Sequence, residues 1–227
     1  SYDDYLRHYA ALNRTARLEA SFDQPGFQSL IDALANIAPA NIADLHAWTV
    51  AELDDYAKQL RHGNTDGYKA YWNEAPKGHE VDKPKVEDSC RDRLLDHLRM
   101  RFSGHGVIGE PEGHFADDKR ADITLTHSAG AKLPLELKRD AHADVWTACQ
   151  NQLERLYASD PDAEGYGIYV VFWFGPKRKE SVSTPPKGIP KPSTAVEMQS
   201  ALRSLVPESS RNRIAVVVID VSPPVKD

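Results

Sequence analysis

Cysteine is scarce in this chain of 227 residues: Cys90 and Cys149 stand alone, with no CxxC pair and no Cys/His ligand spacing. That scarcity argues against a disulfide framework and a thiolate zinc site, and predicts two reduced thiols in the helical core of a cytosolic protein. Long apolar runs are missing as well. Nothing approaches the roughly 20 residues of a membrane span, and no signal-peptide pattern opens the chain. The first residue is Ser, not Met, which fits a processed product or a piece of a longer protein. An excess of positive charge is also lacking, since 28 Lys and Arg face 34 Asp and Glu for a net charge of −6. A nonspecific DNA coat protein is therefore not expected. A nuclease is not excluded, because acids gathered at a metal site add to that count while local basic patches hold phosphates. What the chain does have is 41% hydrophobic and 27% charged residues, enough for a sizeable core.

The first eighty residues read as helices. Tyr2, Tyr5, Leu6, Tyr9 and Leu12 follow helical spacing, as do Leu30, Ile31, Leu34 and Ile37. Thr49 to Glu52 reads as a capping box opening a helix that stops at Gly63. Residues 73–85 are rich in Pro and Lys and mark the expected boundary, giving a helical region over 1–80 and a second domain over 81–227. Pro84 suits the first turn of the next helix, with Val86, Cys90, Leu94 and Leu98 as its apolar stripe. A short strand from Val107 to Glu110 and a polar loop follow. A helix from Asp144 through Ser159 is expected, with Trp146, Gln150, Leu153 and Tyr157 on one face and Gln152 rotated away. The run from Gly165 to Gly175 is continuously apolar, as a central parallel strand covered on both faces would be. A helix over about 194–205 and a last buried strand over 214–219 complete the chain. The order α-β-β-β-α-β, then α-β, predicts an α/β fold with a mixed sheet between helices.

The stretch 120–157 carries the chemistry. Asp122 lies in one β-like run and Glu136-Leu137-Lys138 in the next, with Ser128 and Gly130 in the loop that would fold them together. Side chains at i and i+2 share a strand face, so Glu136 and Lys138 project together while Leu135 and Leu137 enter a core. Two carboxylates at close range repel unless a cation lies between them, and hard oxygen ligands suit Mg²⁺ or Mn²⁺. A neighbouring lysine binds a phosphate or orients a water.

This ordered set, D-x(13)-E-L-K followed by a helix with Gln152 and Tyr157, resembles the PD-(D/E)XK nuclease superfamily. The strings LELKRDAHADVWTACQNQLERLY and GYGIYVVFWFG are similar to nuclease domains of large bacterial defence proteins. Ala121 stands where that superfamily often has proline. The resemblance covers about 84–221. It implies a restriction-endonuclease-like core and metal-dependent hydrolysis of DNA in anti-phage defence. Asp122, Glu136 and the Leu137 carbonyl would hold Mg²⁺, with Glu87 or Glu110 completing the shell. Lys138 and Gln152 would act in catalysis. The blander readings are a helix-start acid favoured by the macrodipole for Glu87 and an ordinary strand-end acid for Glu110.

Lys119, Arg120, Arg139, Lys177, Arg178 and Lys179 are the candidate phosphate contacts, or else solvated faces. Two other readings stay open: a ribonuclease of the same fold, and a non-catalytic nucleic-acid-binding module. The helices of residues 1–80 would join a partner, an oligomer or a larger defence assembly.

Overall fold

The computed structural model describes residues 38–75, 81–114, 120–127, 130–175 and 180–224, together with Tyr5, Tyr9 and Leu12. Two compact units divide the chain, residues 1–38 and 39–227. In the first, Tyr5, Tyr9 and Leu12 are helical and exposed, with the two tyrosine rings stacked at 5.9 Å. Tyr2, Leu6 and the apolar run Leu30 to Ile37 lie outside the described residues. The expected boundary at 80 is not where the units part. The helix before Gly63 belongs to the second unit, because its apolar face is buried in that unit's core.

That helix, α1 (Ile42–His62), begins earlier than the capping box implied. Asn41 is its N-cap, and the Asn41 side chain accepts the Asp44 N–H at 2.9 Å. Thr49 is instead mid-helix and buried, its hydroxyl donating to the Leu45 carbonyl. Glu52 is freed from capping and pairs with Arg101 at 2.7 Å. The stretch expected as a linker contributes to a two-stranded sheet: β1 (Trp72–Glu74) pairs antiparallel with β2 (Val81–Pro84). Pro84 thus ends a strand, and α2 (Glu87–Arg101) starts after the cap residue Val86, which is exposed. Cys90, Leu94, Leu95 and Leu98 of α2 are buried.

The central sheet has the order β3-β4-β5-β6-β7. The strands are β3 (Val107–His114), β4 (Arg120–His127), β5 (Lys132–Arg139), β6 (Gly167–Trp173) and β7 (Ile214–Asp220). The first three pair antiparallel; β5-β6 and β6-β7 pair parallel. β3 runs four residues beyond the expected strand end at Glu110. Gly113 permits this close pairing, since a Cβ there would meet the Thr124 hydroxyl at 2.0 Å. The turn between β4 and β5 needs glycine for a different reason: Gly130 has φ +85.

Every residue of β6 is buried, as a strand covered on both faces requires. Ile168, Val170 and Phe172 meet Leu135 and Leu137 in a core with α1 and α2. Tyr169, Val171 and Trp173 meet a second core with Leu153, Tyr157, Met198 and Leu202. Two helices supply that second cover: a π-helix (Cys149–Tyr157) and α3 (Ala195–Leu205), which Thr194 caps. Each fully buried Leu, Val or Phe contributes about 1.5–3 kcal/mol, so both covers hold the sheet firmly. The fold is mixed α/β, with helices on both faces of a five-stranded mixed sheet.

Candidate active site

The site forms where β4 and β5 part. Their ladder runs from Thr126↔Lys132 to Ile123↔Leu135 and stops there. Beyond it, the β5 N–H groups that would have continued the ladder need other acceptors, because an unpaired buried N–H costs about 1–3 kcal/mol. Carboxylates supply them. Asp122 Oδ2 accepts the Leu137 N–H at 2.7 Å, and Glu87 Oε2 accepts the Arg139 N–H at 3.0 Å. One acid comes from β4 and the other from the first turn of α2, so the fork draws three elements together.

Lys138 Nζ lies at the centre. It is 2.5 Å from Glu136 Oε1, 2.8 Å from the Leu137 carbonyl, 3.5 Å from Glu87 Oε1 and 3.8 Å from Asp122 Oδ2. Glu136 and Lys138 are almost fully buried, while the Asp122 and Glu87 side chains keep about a quarter of their surface (25% and 24%). A deep ion pair is therefore rimmed by two acids that solvent reaches. The Leu137 amide and carbonyl both face the same fork.

Three carboxylates share one ammonium, and the imbalance shows in their acidities. Burial, reinforced by the Asp122 charge, pushes Glu136 up to about 8 despite Lys138. Burial raises Asp122 too, against the pull of Lys138 and the Leu137 N–H. For Lys138 burial alone would lower the pKa, but Glu136, Asp122 and Glu87 outweigh it and hold the ammonium above the usual lysine range. The donor set suits a hard cation: carboxylate and carbonyl oxygens, with neither His nor Cys among them. Among the described residues no three His, Cys, Asp or Glu side chains are grouped at metal-holding distances. The acids converge on the lysine and not on one another.

The remaining sequence candidates divide. Glu110 pairs across the sheet with Thr124, two residues along β4 from Asp122, but it is exposed and makes no bond to the cluster among the described residues. Arg120 is spent on Glu112 at 3.0 Å, so it is an intramolecular partner before it is a phosphate contact. Arg139 is committed likewise: its guanidinium donates to the Lys85 carbonyl and lies 3.6 Å from Glu180. Lys119, Lys177, Arg178 and Lys179 lie outside the described residues.

Gln152 and Tyr157 behave differently from the α-helical expectation, in which a spacing of five puts them on different faces. The segment is π-helical, with the Ala158 N–H donating to the Leu153 carbonyl five residues back at 2.8 Å. Residues five apart in such a helix lie over one another, about one turn apart. Gln152 is half-buried and Tyr157 buried. Burial first, then the charges of Glu136 and Asp122, lift the Tyr157 phenol to about 12, which puts its ring in the field of the acids. The sequence put Tyr157 on one helix face with Leu153; the structure buries both in the second core, where the Tyr157 phenol feels the Glu136 and Asp122 charges.

Asp140 was not singled out from the sequence. It is fully buried, and its Oδ2 accepts the Phe174 and Gly175 N–H groups at 2.9 and 3.2 Å. It thereby clamps the ends of β5 and β6 two residues past Lys138. The only sequence signal was an acid directly after an apolar strand, where acids ordinarily face solvent. Cys90 and Cys149 are free and buried, each thiol pushed up to about 12 by burial, so neither is a poised nucleophile.

No described helix is long and apolar enough to cross a membrane. Comparison with the curated proteins and with the solved structures returns no match. A family match spans residues 47–176, running from α1 past β6, across the boundary expected near residue 80, and taking in Glu87, Asp122, Glu136, Lys138 and Tyr157. The chain belongs to the family described as a domain of unknown function, DUF8371.

Proposed function

We propose that this protein is a divalent-metal-dependent nuclease that hydrolyses phosphodiester bonds of DNA on a restriction-endonuclease-like core. One observation carries the reading: at a fork between strands, Asp122, Glu136 and Glu87 gather around Lys138 with the Leu137 main chain beside them. A protein that only packed its core would gain nothing by burying Glu136 against Lys138 and rimming that pair with two more acids, because desolvation makes such groups costly. Asp122, Glu136, Glu87 and the Leu137 carbonyl would hold Mg²⁺ or Mn²⁺. That ion, when bound, polarises a phosphate oxygen and lowers the pKa of a coordinated water.

The chain's own residues do the rest. Lys138 keeps its proton on Nζ, because the surrounding carboxylates favour the ammonium. It therefore acts as a charge and a hydrogen-bond donor toward phosphate oxygens, not as a base. Asp122 and Glu87 fix the outward amides of Leu137 and Arg139, so the strand carrying Lys138 cannot shift as substrate arrives. Tyr157 stays protonated at neutral pH and supplies a neutral wall beside the acids. A role in anti-phage defence rests on the sequence resemblance alone.

The test is incubation of the purified protein with plasmid, linear DNA and RNA in Mg²⁺, in Mn²⁺ and in EDTA. DNA cleavage in Mg²⁺ or Mn²⁺ but not in EDTA is expected, and Asp122→Asn should abolish it while circular dichroism stays unchanged. Cleavage of RNA alone would move the substrate to the ribonuclease alternative. Binding without cleavage under every condition would contradict the enzyme and favour a recognition module.

A further inference from the structure

The far edge of the sheet carries a second charged feature. β7 is an edge strand, and an open depression of about 570 Å³ lies against it. Its floor is apolar, formed by Val206, Ile214 and Val216, and its rim carries Arg203 and Arg211 with Ser200 and Ser204. A second depression continues past Arg203 toward the other end of β7, adding Lys58, Arg61 and His62. Together they follow β7 from Ile214 to Asp220, roughly 20 Å at 3.3 Å per residue. Asp220 is the one acid on either lining, and it faces Arg61 at 3.6 Å.

The arginines are mounted in a way that leaves them usable. Arg203 Nε donates to the Val216 carbonyl and Arg211 Nε to the Val206 carbonyl, each at 3.2 Å. Those bonds fix the stems, and neither guanidinium has a carboxylate partner among the described residues. The terminal NH₂ groups are then presented in a planar fork suited to phosphate. The same helix closes β7 to another strand. Arg203 occupies the outward Val216 carbonyl, and Gln199 Oε1 accepts the outward Val218 N–H at 2.8 Å. A peptide adding itself to the sheet would find those groups taken. What remains on offer is cationic side chains over an apolar floor.

We propose that this β7-edge trough binds the phosphate backbone of a single nucleic-acid strand, gripping it away from the fork. The inference rests on the nuclease reading for the identity of the polyanion. The strand register makes the connection, since Lys138 pairs with Val171 and Val171 with Val218. The Val218 end of the trough is therefore level with the site, two strands away, or about 10 Å at 4.8 Å per strand. Arg203 and Arg211 give two phosphate contacts; Lys58, at the near end, is paired with Asp55 at 2.9 Å and is not counted among them.

Anisotropy titration of a labelled single-stranded oligonucleotide in EDTA tests the trough without any cleavage. Arg203→Gln/Arg211→Gln should bind at least ten-fold more weakly at low salt. Its salt slope should fall by about 1.4, from about 0.7 per single-strand phosphate contact. Ser200→Glu/Ser204→Glu leaves both arginine anchors intact and should weaken binding at least as much. A control pair removing equal charge at exposed sites, Lys83→Gln/Arg155→Gln, should bind like wild type. Equal affinity and slope in wild type and the arginine pair, an equal loss in the control pair, or no binding by wild type would each overturn the proposal. So would poly-glutamate displacing the oligonucleotide as well as unlabelled oligonucleotide does. Hydrolysis of bis(p-nitrophenyl) phosphate in Mn²⁺ reads the fork alone and should match wild type in the arginine pair. Failure of wild type on that small diester would count against the phosphodiesterase reading only.

Discussion

Charge is held in opposite ways at the β4/β5 fork and along the β7 edge. At the fork it is buried: Glu136 and Lys138 are almost out of solvent, and the acids outnumber the base. On the β7 edge the arginines are exposed and each is steadied by a backbone carbonyl through one nitrogen. Buried charges interact strongly and shift one another's acidity, whereas exposed ones are screened within about 10 Å at ordinary salt. The fork should therefore answer to pH, to cations and to single-atom changes. The trough should answer mainly to ionic strength. The proposed function puts chemistry in the first environment and grip in the second.

The largest expected effect comes from changing the fork acids. Glu136→Gln and Asp122→Asn are near-isosteric and should each lower Mg²⁺-dependent cleavage by at least ~10²–10³-fold, measured by initial rates on plasmid. A drop of only two- or three-fold would remove the contrast with the trough. Next comes Asp140, which touches no substrate in this account. Asp140→Ala strands the Phe174 and Gly175 amides inside the protein, so denaturant midpoints should show a loss of about 2–4 kcal/mol. Unchanged stability would mean that the clamp beside Lys138 is not what fixes the strand ends.

A pH effect of intermediate size follows from Glu136. Its folded-state pKa of about 8 lies above the ordinary glutamate value of 4.5. The folded protein therefore binds more protons than the unfolded chain between those values, and stability drops as pH rises from about 5 to 8. Asp122 is raised as well and adds in the same direction. Each unit of upward shift corresponds to about 1.4 kcal/mol. Half-buried His46 and His97 have pKa values lowered by burial and pull the opposite way below about 6.5, so the difference between wild type and Glu136→Gln isolates the acid. Thermal melts in EDTA should show the decline in wild type and a flatter profile in the variant. The smallest effect belongs to Tyr157→Phe, which removes a hydroxyl but keeps the ring in its core. Cleavage should fall no more than about ten-fold, with thermal stability within ~1 kcal/mol of wild type.

The sheet was readable wherever one residue's surroundings are set by its strand. Continuous apolarity marked β6 as central, and the E-L-K alternation put Glu136 and Lys138 opposite Leu135 and Leu137. Asp122 and Glu87 joined them in the structure, as the ordered acids suggested. Features set by partners far along the chain were not readable. Thr49 and Glu52 look like a capping box until Asn41 takes the cap and Arg101 takes Glu52. The separation of Gln152 from Tyr157 assumed α-helical turns, and nothing in the residues announces a π-helix. Asp140 gave no sign of burial because its two donors come from a strand end 34 and 35 residues away. Arg203 and Arg211 acquire meaning only from the β7 edge, whose position depends on the whole sheet order.

In the proposed nuclease, Lys138 serves the transition state within an acid cluster that would bind a metal. Lys138→Ala separates that role from simple phosphate binding. DNA affinity would be measured by anisotropy in Ca²⁺, whose looser shell supports binding with little chemistry, and cleavage by product formation in Mg²⁺. The expected result is a rate reduced by orders of magnitude with affinity changed by no more than a few-fold. A variant that cleaves at near wild-type rate, or one whose lost cleavage is matched by an equal loss of affinity, would contradict it.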